Sequence, residues 1–203
     1  MTTTTSATCS GRPREFCKEE ALGKALELFW RNGYEGTSLA DLTKAMGINK
    51  PSLYAAFGNK EQLFLQTIDL YEKLPDAYFY PALKQPTAFQ VVESMLRGAA
   101  ERMANAEHPQ GCVVVQSALS CSDASAAVRA ALIERRQQGQ QALQQRFEQA
   151  QEAGDLPQQV DACTLSHYIG TVLQGMSVQA NNGASTAELC AVAEMVLANF
   201  PRQ

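Results

Sequence analysis

Apolar residues near the amino end recur at helical spacing and predict two helices. In the segment over about 18–32 they fall three or four positions apart, and Gly33 follows the last of them. Ser38 is a suitable N-cap for a second helix that runs to Met46. Gly47 comes next and can take the positive φ that ends a helix.

Two more helices are predicted immediately afterwards, and the first of them is short. Asn49 can cap a helix over about 50–56. Pro51 is tolerated there because the first turn of a helix has no internal acceptor for its N–H. A fourth helix begins at Asn59 and is expected to bend or end at Pro75.

Longer helical patterns continue behind Pro86. An apolar stripe follows that proline, and further patterns cover about 123–153, 161–180 and 186–200. The best strand candidate, the three valines at 113–115, is too short to stand alone. The sequence therefore predicts an all-α chain of about nine helices in two parts.

Helices two and three, joined at Gly47, have the size of a helix-turn-helix. Leu53 and Phe57 of the third helix share one side, where they are expected to pack against the other helices. The opposite side carries small or polar residues, which would let the backbone approach the major groove of DNA. Spacing alone fits a helical hairpin inside an ordinary core equally well.

The same region holds side chains suited to DNA contact. Lys50 and Ser52 can reach base edges from the third helix. Four further side chains can donate hydrogen bonds to phosphate oxygens: Thr37, Ser38, Tyr54 and Lys60. Arg12 and Arg14, ahead of the first helix, form a basic arm of the kind that enters a minor groove or follows the backbone.

Charge is distributed unevenly along the chain. Residues 1–60 hold 8 Lys and Arg against 6 Asp and Glu, whereas residues 61–203 hold 9 against 15. The formal net charge of −4 therefore hides a mildly basic amino-terminal part. That split favours an anionic partner for this part of the chain.

The stretch ALELFWRNGYEGTSLADLTKAMGINKPSLYAAFGNKEQLF carries a specific residue pattern. Its members are Phe29, Gly33, Tyr34, Thr37, Ser38, Leu42, Gly47, Ile48, Leu53, Tyr54, Phe57, Lys60 and Leu63. With this pattern, residues 12–71 closely resemble the DNA-binding domain of TetR-family transcriptional repressors. The chain departs from the family at Thr43, where alanine is frequent, and at Gly58, where a basic or polar residue is common.

The resemblance implies a sequence-specific DNA-binding regulator, in the family's usual form a repressor released by an effector. It implies a homodimer that reads a palindromic operator in double-stranded DNA. Bases would be faced by Lys50, Pro51 and Ser52, and phosphates held by Thr37, Tyr54 and Lys60. The expected domains are a three-helix helix-turn-helix domain over 12–72, with the motif at about 38–57, and a ligand-binding and dimerisation domain over 73–203.

The last two predicted helices are more apolar than a chain of this size needs at its end. The resemblance implies that two copies bury this surface in a four-helix interface. The expected interface residues are Leu165, Val172, Leu173, Leu189, Val192, Val196 and Phe200. The alternative is that these side chains belong to the internal core of one chain.

An effector pocket is implied in the second domain. The expected lining consists of Phe89, Met103, Cys112, Leu119, Tyr168 and Met176. The step from Gly111 to Cys112 also resembles that of TetR relatives that sense reactive aldehydes, quinones or oxidants through a cysteine. A buried free cysteine is otherwise a small hydrophobe, so both interpretations stay open.

Other classes of protein find little support in the sequence. The six cysteines contain no CxxC pair and are expected to be thiols. Cys163 and His167 stand at helical spacing, but no dense cluster of ligands predicts a metal site. No cofactor is expected. No glycine-rich phosphate loop, HExxH or nucleophile elbow occurs, so an enzyme is not expected. Without a signal peptide or membrane span, the chain is expected in the cytoplasm. The remaining rival is an all-helical protein-interaction module that does not bind DNA.

Overall fold

The computed structural model describes residues 17–120 and 125–202, except for the side chains of 118–120, and this part of the chain forms ten α-helices. Their bounds are α1 Lys18–Asn32, α2 Leu39–Met46, α3 Lys50–Phe57, α4 Lys60–Tyr71, α5 Phe79–Ala82, α6 Ala88–Met103, α7 Val113–Ser120, α8 Ala126–Glu152, α9 Ala162–Asn181 and α10 Thr186–Ala198. No strand occurs among the described residues. The all-α prediction is confirmed.

Helices α5 and α7 are short elements that the apolar pattern does not predict. The valines at 113–115 open α7, and all three side chains are buried. A run of three valines suits a fully buried helix face as well as a buried strand, so periodicity cannot distinguish them.

Side-chain caps fix where α2 and α3 begin. The Ser38 hydroxyl oxygen accepts a hydrogen bond from the backbone N–H of Asp41 at 3.1 Å, and the Asp41 carboxylate accepts from the backbone N–H of Ser38 at 3.1 Å. The Asn49 side chain accepts from the backbone N–H of Ser52 at 2.8 Å. Gly47 separates the two helices at φ 69°, in the left-handed region. These local bonds set the helix-turn-helix geometry.

The first four helices close over an aromatic centre. Phe29 of α1 is fully buried and meets the Phe64 ring edge-on at 5.0 Å. The Tyr34 ring, just after α1, stacks 6.2 Å from that of Phe29. From α3, Leu53 and Phe57 point inward and are buried, as the helical pattern predicts. Helix α3 is therefore held from one side and leaves its other side free.

The variant Phe29→Ala is expected to lower the free energy of unfolding by about 3–5 kcal/mol, since it leaves a cavity between α1 and α4. Chemical denaturation followed by circular dichroism measures the change. The variant Phe29→Leu keeps most of the side-chain volume and should cost clearly less. Equal losses in the two variants would contradict the packing described.

The carboxy-terminal helices form a second layered body. Helix α10 packs along α6, and α9 lies between α6 and α8. Ser117, Ser166 and Ser177 are buried among these helices, where the Ser177 hydroxyl accepts a hydrogen bond from the backbone N–H of Cys112 at 2.9 Å. None of the described helices is long and apolar enough to cross a membrane.

The end of α4 is tied to the second body by charged side chains. Arg102 of α6 donates from Nη2 to the backbone oxygen of Tyr71 at 3.2 Å. Arg135 of α8 donates to the Glu72 carboxylate at 2.7 Å and also to Asp69. Burial raises the pKa of the Glu72 carboxyl, and the adjacent Arg135 opposes that rise. Helix α4 therefore packs within the first body and is bonded at its carboxy-terminal end to the second.

Candidate nucleic-acid interface and effector cavity

The free side of α3 is small and polar. Lys50, Pro51, Tyr54 and Ala55 are exposed, and Ser52 is half-buried. The Lys50 ammonium lies 5.9 Å from the centroid of the Tyr54 ring, so the two side chains stand together near the start of the helix. This side combines hydrogen-bond donors with room for close approach of the backbone.

Lys60 stands at the start of α4, next to that side. Its ammonium lies 4.2 Å from the centroid of the Tyr34 ring. Desolvation by partial burial lowers the pKa of Lys60, and the Glu35 carboxylate opposes the shift. The contact with the Tyr34 ring places the ammonium at the amino-terminal end of α4, where phosphate oxygens are favoured.

Two of the predicted phosphate donors are already engaged within the chain. The Thr37 side chain is fully buried, and its hydroxyl donates to the backbone oxygen of Gly33 at 2.8 Å. The prediction that Thr37 contacts a phosphate is wrong for this conformation, because the side chain has no exposed surface. Ser38 is exposed, but its hydroxyl donates to the Asp41 carboxylate at 2.5 Å.

The predicted arm residues Arg12 and Arg14 lie outside the described residues. Their role stays a prediction. Among the described residues, the candidates for DNA contact with accessible side chains are Lys50, Pro51, Ser52 and Tyr54 on α3 and Lys60 at the start of α4, and their contacts stay a prediction.

A cavity of about 160 Å³ lies where the end of α4 meets the second body. It is bounded by α4, α6, α7, α8 and α9 and by the segment before and within α5. Its lining is Tyr71, Glu72, Ala77, Tyr78, Phe79, Tyr80, Arg102, Met103, Cys112, Val114, Val115, Arg135, Arg136, Gly139, Gln140, Leu143, Ser166, Gly170, Leu173 and Gln174. The wall is mainly apolar and also contains guanidinium, phenol and amide groups.

Only part of the predicted effector pocket lies in this wall. Met103 and Cys112 line the cavity, and Cys112 is 8% exposed. Phe89 lies at the start of α6, outside the cavity wall. The centroid of its ring is 6.0 Å from that of Phe200, which follows α10. Tyr168 is 47% exposed on the outside of α9, and Met176 is buried but does not line the cavity.

Phe89, Tyr168 and Met176 therefore do not line this cavity, and their assignment to an effector pocket stays a prediction. Phe89 lies at the opposite end of α6 from Met103, whereas Tyr168 and Met176 lie on other faces of α9 than the residues that line the cavity. The predicted Leu119 has a side chain outside the described residues.

Several residues of the cavity wall are absent from the sequence prediction. The sequence does contain a signal for them on α8: Arg136 and Gln140 share a face with Leu132 and Leu143, at spacings of three and four residues. Polar side chains that interrupt an apolar stripe in this way point into the structure and indicate a polar site there.

The predicted dimer residues are mostly buried within their own chain. Leu165, Leu173, Leu189, Val196 and Phe200 are each less than 9% exposed, because α9 and α10 pack on α6. Val172 is half-buried, and Val192 is 43% exposed. Of the predicted set, only Val192 and Val172 thus offer appreciable surface to a second copy.

Other apolar side chains on α9 and α10 remain uncovered. Tyr168 and Val178 on α9 and Met195 on α10 are all large and exposed, and Met195 reaches 68%. Ala191 is exposed on the same side of α10 as Val192 and Met195, and these residues form a strip with the exposed Glu188 at its amino-terminal end. A surface of this kind marks an interaction site.

The cysteine and histidine on α9 do not build a larger cluster. The Cys163 sulfur lies 3.7 Å from Nδ1 of His167, and both side chains are exposed. In the described ranges, no group of three or more His, Cys, Asp or Glu residues is arranged to hold a metal ion.

Comparison with known proteins assigns the chain to a class and a family. A family model described as "Bacterial regulatory proteins, tetR family" matches residues 21–67, and one described as "Tetracyclin repressor-like, C-terminal domain" matches residues 88–194. The HTH-type transcriptional repressor ComR of Escherichia coli (strain K12) is 35% identical over 198 residues, which are 94% of this chain and 92% of that protein. The repressor BdcR of the same strain is 32% identical over 204 residues, 96% of this chain and 94% of that protein.

A solved structure of a TetR family regulator is also similar to this chain. The TetR family transcriptional regulator CifR, as a cysteine mutant complexed with 26-bp double-strand operator DNA, is 40% identical to this chain, with a TM-score of 0.88. The match covers 94% of this chain and 100% of that chain. The helix-turn-helix with its free α3 face thus belongs to a DNA-binding transcriptional regulator. The chain is a member of the TetR family, whose proteins act as dimers with small-molecule effectors.

Proposed function

We propose that this regulator is a repressor whose dimer holds a palindromic operator and releases it when a small effector fills the cavity. The observation that carries the DNA-binding part is the free side of α3, where Lys50, Ser52 and Tyr54 stand beside a helix start. Helix α3 enters the major groove, which is about 12 Å wide, with its amino-terminal residues at base edges. Tyr54 and Lys60 hold the adjacent phosphates.

A second copy docks on the exposed strip of α9 and α10. Residues Tyr168, Val178, Val192 and Met195 supply the large apolar side chains of that strip. Closed twofold symmetry presents the same strip from both copies and sets the two α3 helices about one turn of duplex apart, roughly 34–36 Å.

Effector binding reaches α3 through α4. Tyr71 and Glu72, at the carboxy-terminal turn of α4, form part of the cavity wall. Arg102 of α6 and Arg135 of α8 donate hydrogen bonds to these two residues. An effector that binds better when this turn is displaced favours a dimer with a different spacing of its α3 helices. Release of DNA follows from that population shift.

The domain boundary proposed from the sequence, 12–72 and 73–203, falls at this turn. The cavity is assigned to binding and not to catalysis. The lining residues that the structure describes include no histidine, and their one carboxylate, Glu72, is paired with Arg135. The Cys112 thiol lies in the wall, so covalent sensing by that thiol stays a prediction alongside reversible binding.

Fluorescence anisotropy with an operator selected by the protein from a random duplex library tests this function. Binding should weaken by roughly 10³-fold or more between 50 and 200 mM salt, as expected for several phosphate contacts. Lys60→Ala should weaken binding to all duplexes alike and reduce the salt slope by about two, one phosphate for each protomer.

The matched control is Lys84→Ala, which removes an exposed lysine in the turn before α6. It should leave both affinity and salt slope unchanged. Salt-independent binding by the wild type, or an equal effect of the two variants, would contradict the proposed contacts.

A further inference from the structure

The residues that line the cavity include three with buried hydrogen-bond donors that have no partner among the described residues. Nε of Arg102, Nε of Arg136 and Nε2 of Gln140 are all buried, and none of them makes a hydrogen bond within the described chain. All three residues line the cavity. A buried donor without a partner is unfavourable, so a bound group that accepts a hydrogen bond from these side chains would be stabilised.

The charges of the lining are unbalanced. Among the described residues it contains three guanidinium groups, Arg102, Arg135 and Arg136, and one carboxylate, Glu72. Arg102 has an ion-pair partner outside the lining, Asp76, at 3.4 Å, and Arg135 is bound by Glu72 at 2.7 Å. For Arg136, no acidic partner lies within ion-pair distance in the described residues. The cavity therefore contains a cation that is available to a ligand.

Two of the three phenols in the wall, those of Tyr71 and Tyr78, are uncharged and do not oppose an anion. Burial raises the pKa of Tyr71 well above its ordinary value, and burial raises that of Tyr78 as well. Both hydroxyls therefore stay protonated and uncharged, and both can donate hydrogen bonds.

The rest of the cavity sets the size and character of the remaining part of the ligand. Phe79, Val114, Leu143 and Leu173 contribute apolar wall. The volume of about 160 Å³ is close to that of a cavity of about 150 Å³ that accepts benzene. The ligand body is therefore apolar and about the size of one ring.

We propose that the effector is a small organic monocarboxylate whose carboxylate is bound by Arg136 and Gln140 and whose apolar part fills the remaining cavity. The inference rests on the proposed role of this cavity as the effector site. A neutral carbonyl compound would leave the Arg136 charge unpaired. An amine would bring a further cation beside three guanidinium groups.

Isothermal titration calorimetry on the intact dimer, without DNA, tests the proposal with three ring-sized probes. Benzoate, benzamide and benzylamine share one apolar body and differ in head-group charge. Benzoate is expected to bind at least about tenfold more tightly than benzamide, since a charge-assisted hydrogen bond adds to its binding. Benzylamine is expected to bind more weakly than either.

Arg136→Gln removes the cation and keeps a hydrogen-bonding side chain. It is expected to abolish the preference for benzoate over benzamide while leaving the benzamide affinity within about twofold. Arg129→Gln makes the same exchange at an exposed position of α8 and is expected to change nothing. Thermal melting by circular dichroism checks that both variants remain folded.

Failure of the inference can be separated from failure of the proposed function. Absence of benzoate binding, or a benzoate preference that survives in Arg136→Gln, overturns the carboxylate assignment. Operator anisotropy in the same samples reports on the function. Tight benzoate binding that leaves operator affinity unchanged keeps the ligand class and overturns the release mechanism. If neutral ring compounds bind better than benzoate and release the operator, the release mechanism is kept and the carboxylate assignment is overturned.

Discussion

Met195→Lys is expected to separate the two copies of the regulator and to weaken operator binding by roughly two to four orders of magnitude. Met195 is 68% exposed on α10, at the centre of a strip that also holds Ala191 and Val192. In the proposed dimer, the substitution would bury an unpaired cation from each copy. Without the partner, each α3 helix binds its half-site alone and the gain from simultaneous binding is lost.

Lysine is chosen because its positive charge favours DNA, so a loss of affinity cannot come from repulsion. Gln141→Lys is the matched control, at an exposed position of α8. Light scattering coupled to size-exclusion chromatography gives the oligomeric state, and anisotropy gives the affinity. A Met195→Lys protein that stays dimeric with wild-type operator affinity would exclude this strip as the interface.

Lys50→Ala should change which sequence the regulator prefers. The side chain is exposed at the first position of α3, where it can reach the acceptors of a guanine in the major groove. Loss of such a contact costs about 1–3 kcal/mol of discrimination at one base pair, and a dimer loses it in both half-sites. Selection from a random duplex library followed by sequencing measures the change position by position.

The expected outcome differs from that of Lys60→Ala. The first variant should relax selection at one position of each half-site, whereas the second should lower affinity without altering the selected sequence. Unchanged base selection by Lys50→Ala, at any affinity, would show that Lys50 does not read bases.

The helix-turn-helix could be predicted because its determinants are local. Ser38 and Asn49 bond backbone N–H groups three residues away, and Gly47 takes the positive φ between the helices. The inward positions of Leu53 and Phe57 follow from helical spacing. Such features need no knowledge of distant parts of the chain.

The roles of single side chains depend on packing that the sequence does not display. Thr37 has the right residue type for a phosphate contact, yet its hydroxyl is turned to Gly33 and covered. Phe89 and Met176 have the apolar character of pocket residues, but Phe89 packs against Phe200 at the far end of α6 and Met176 is buried away from the cavity. Residue type indicates what a side chain can do, and the tertiary contacts decide whether it is available.

The same limit applies to the dimer surface. An apolar stripe on α10 predicts burial but does not say whether the covering helix belongs to the same chain. Leu189 and Val196 face α6 of their own protomer, whereas Met195 remains uncovered. The buried Val196 and the exposed Met195 are neighbours in the sequence, so only the packed structure shows which of them is covered.

Chemical interference with dimethyl sulfate tests most directly that α3 of two copies reads the major groove one turn apart. The reagent methylates guanine N7 in the major groove and adenine N3 in the minor groove, so one treated operator reports on both. Methylation of guanine N7 is expected to block binding in two segments whose centres lie about 10 base pairs apart. Interference confined to adenine N3, or to a single segment, would contradict the account.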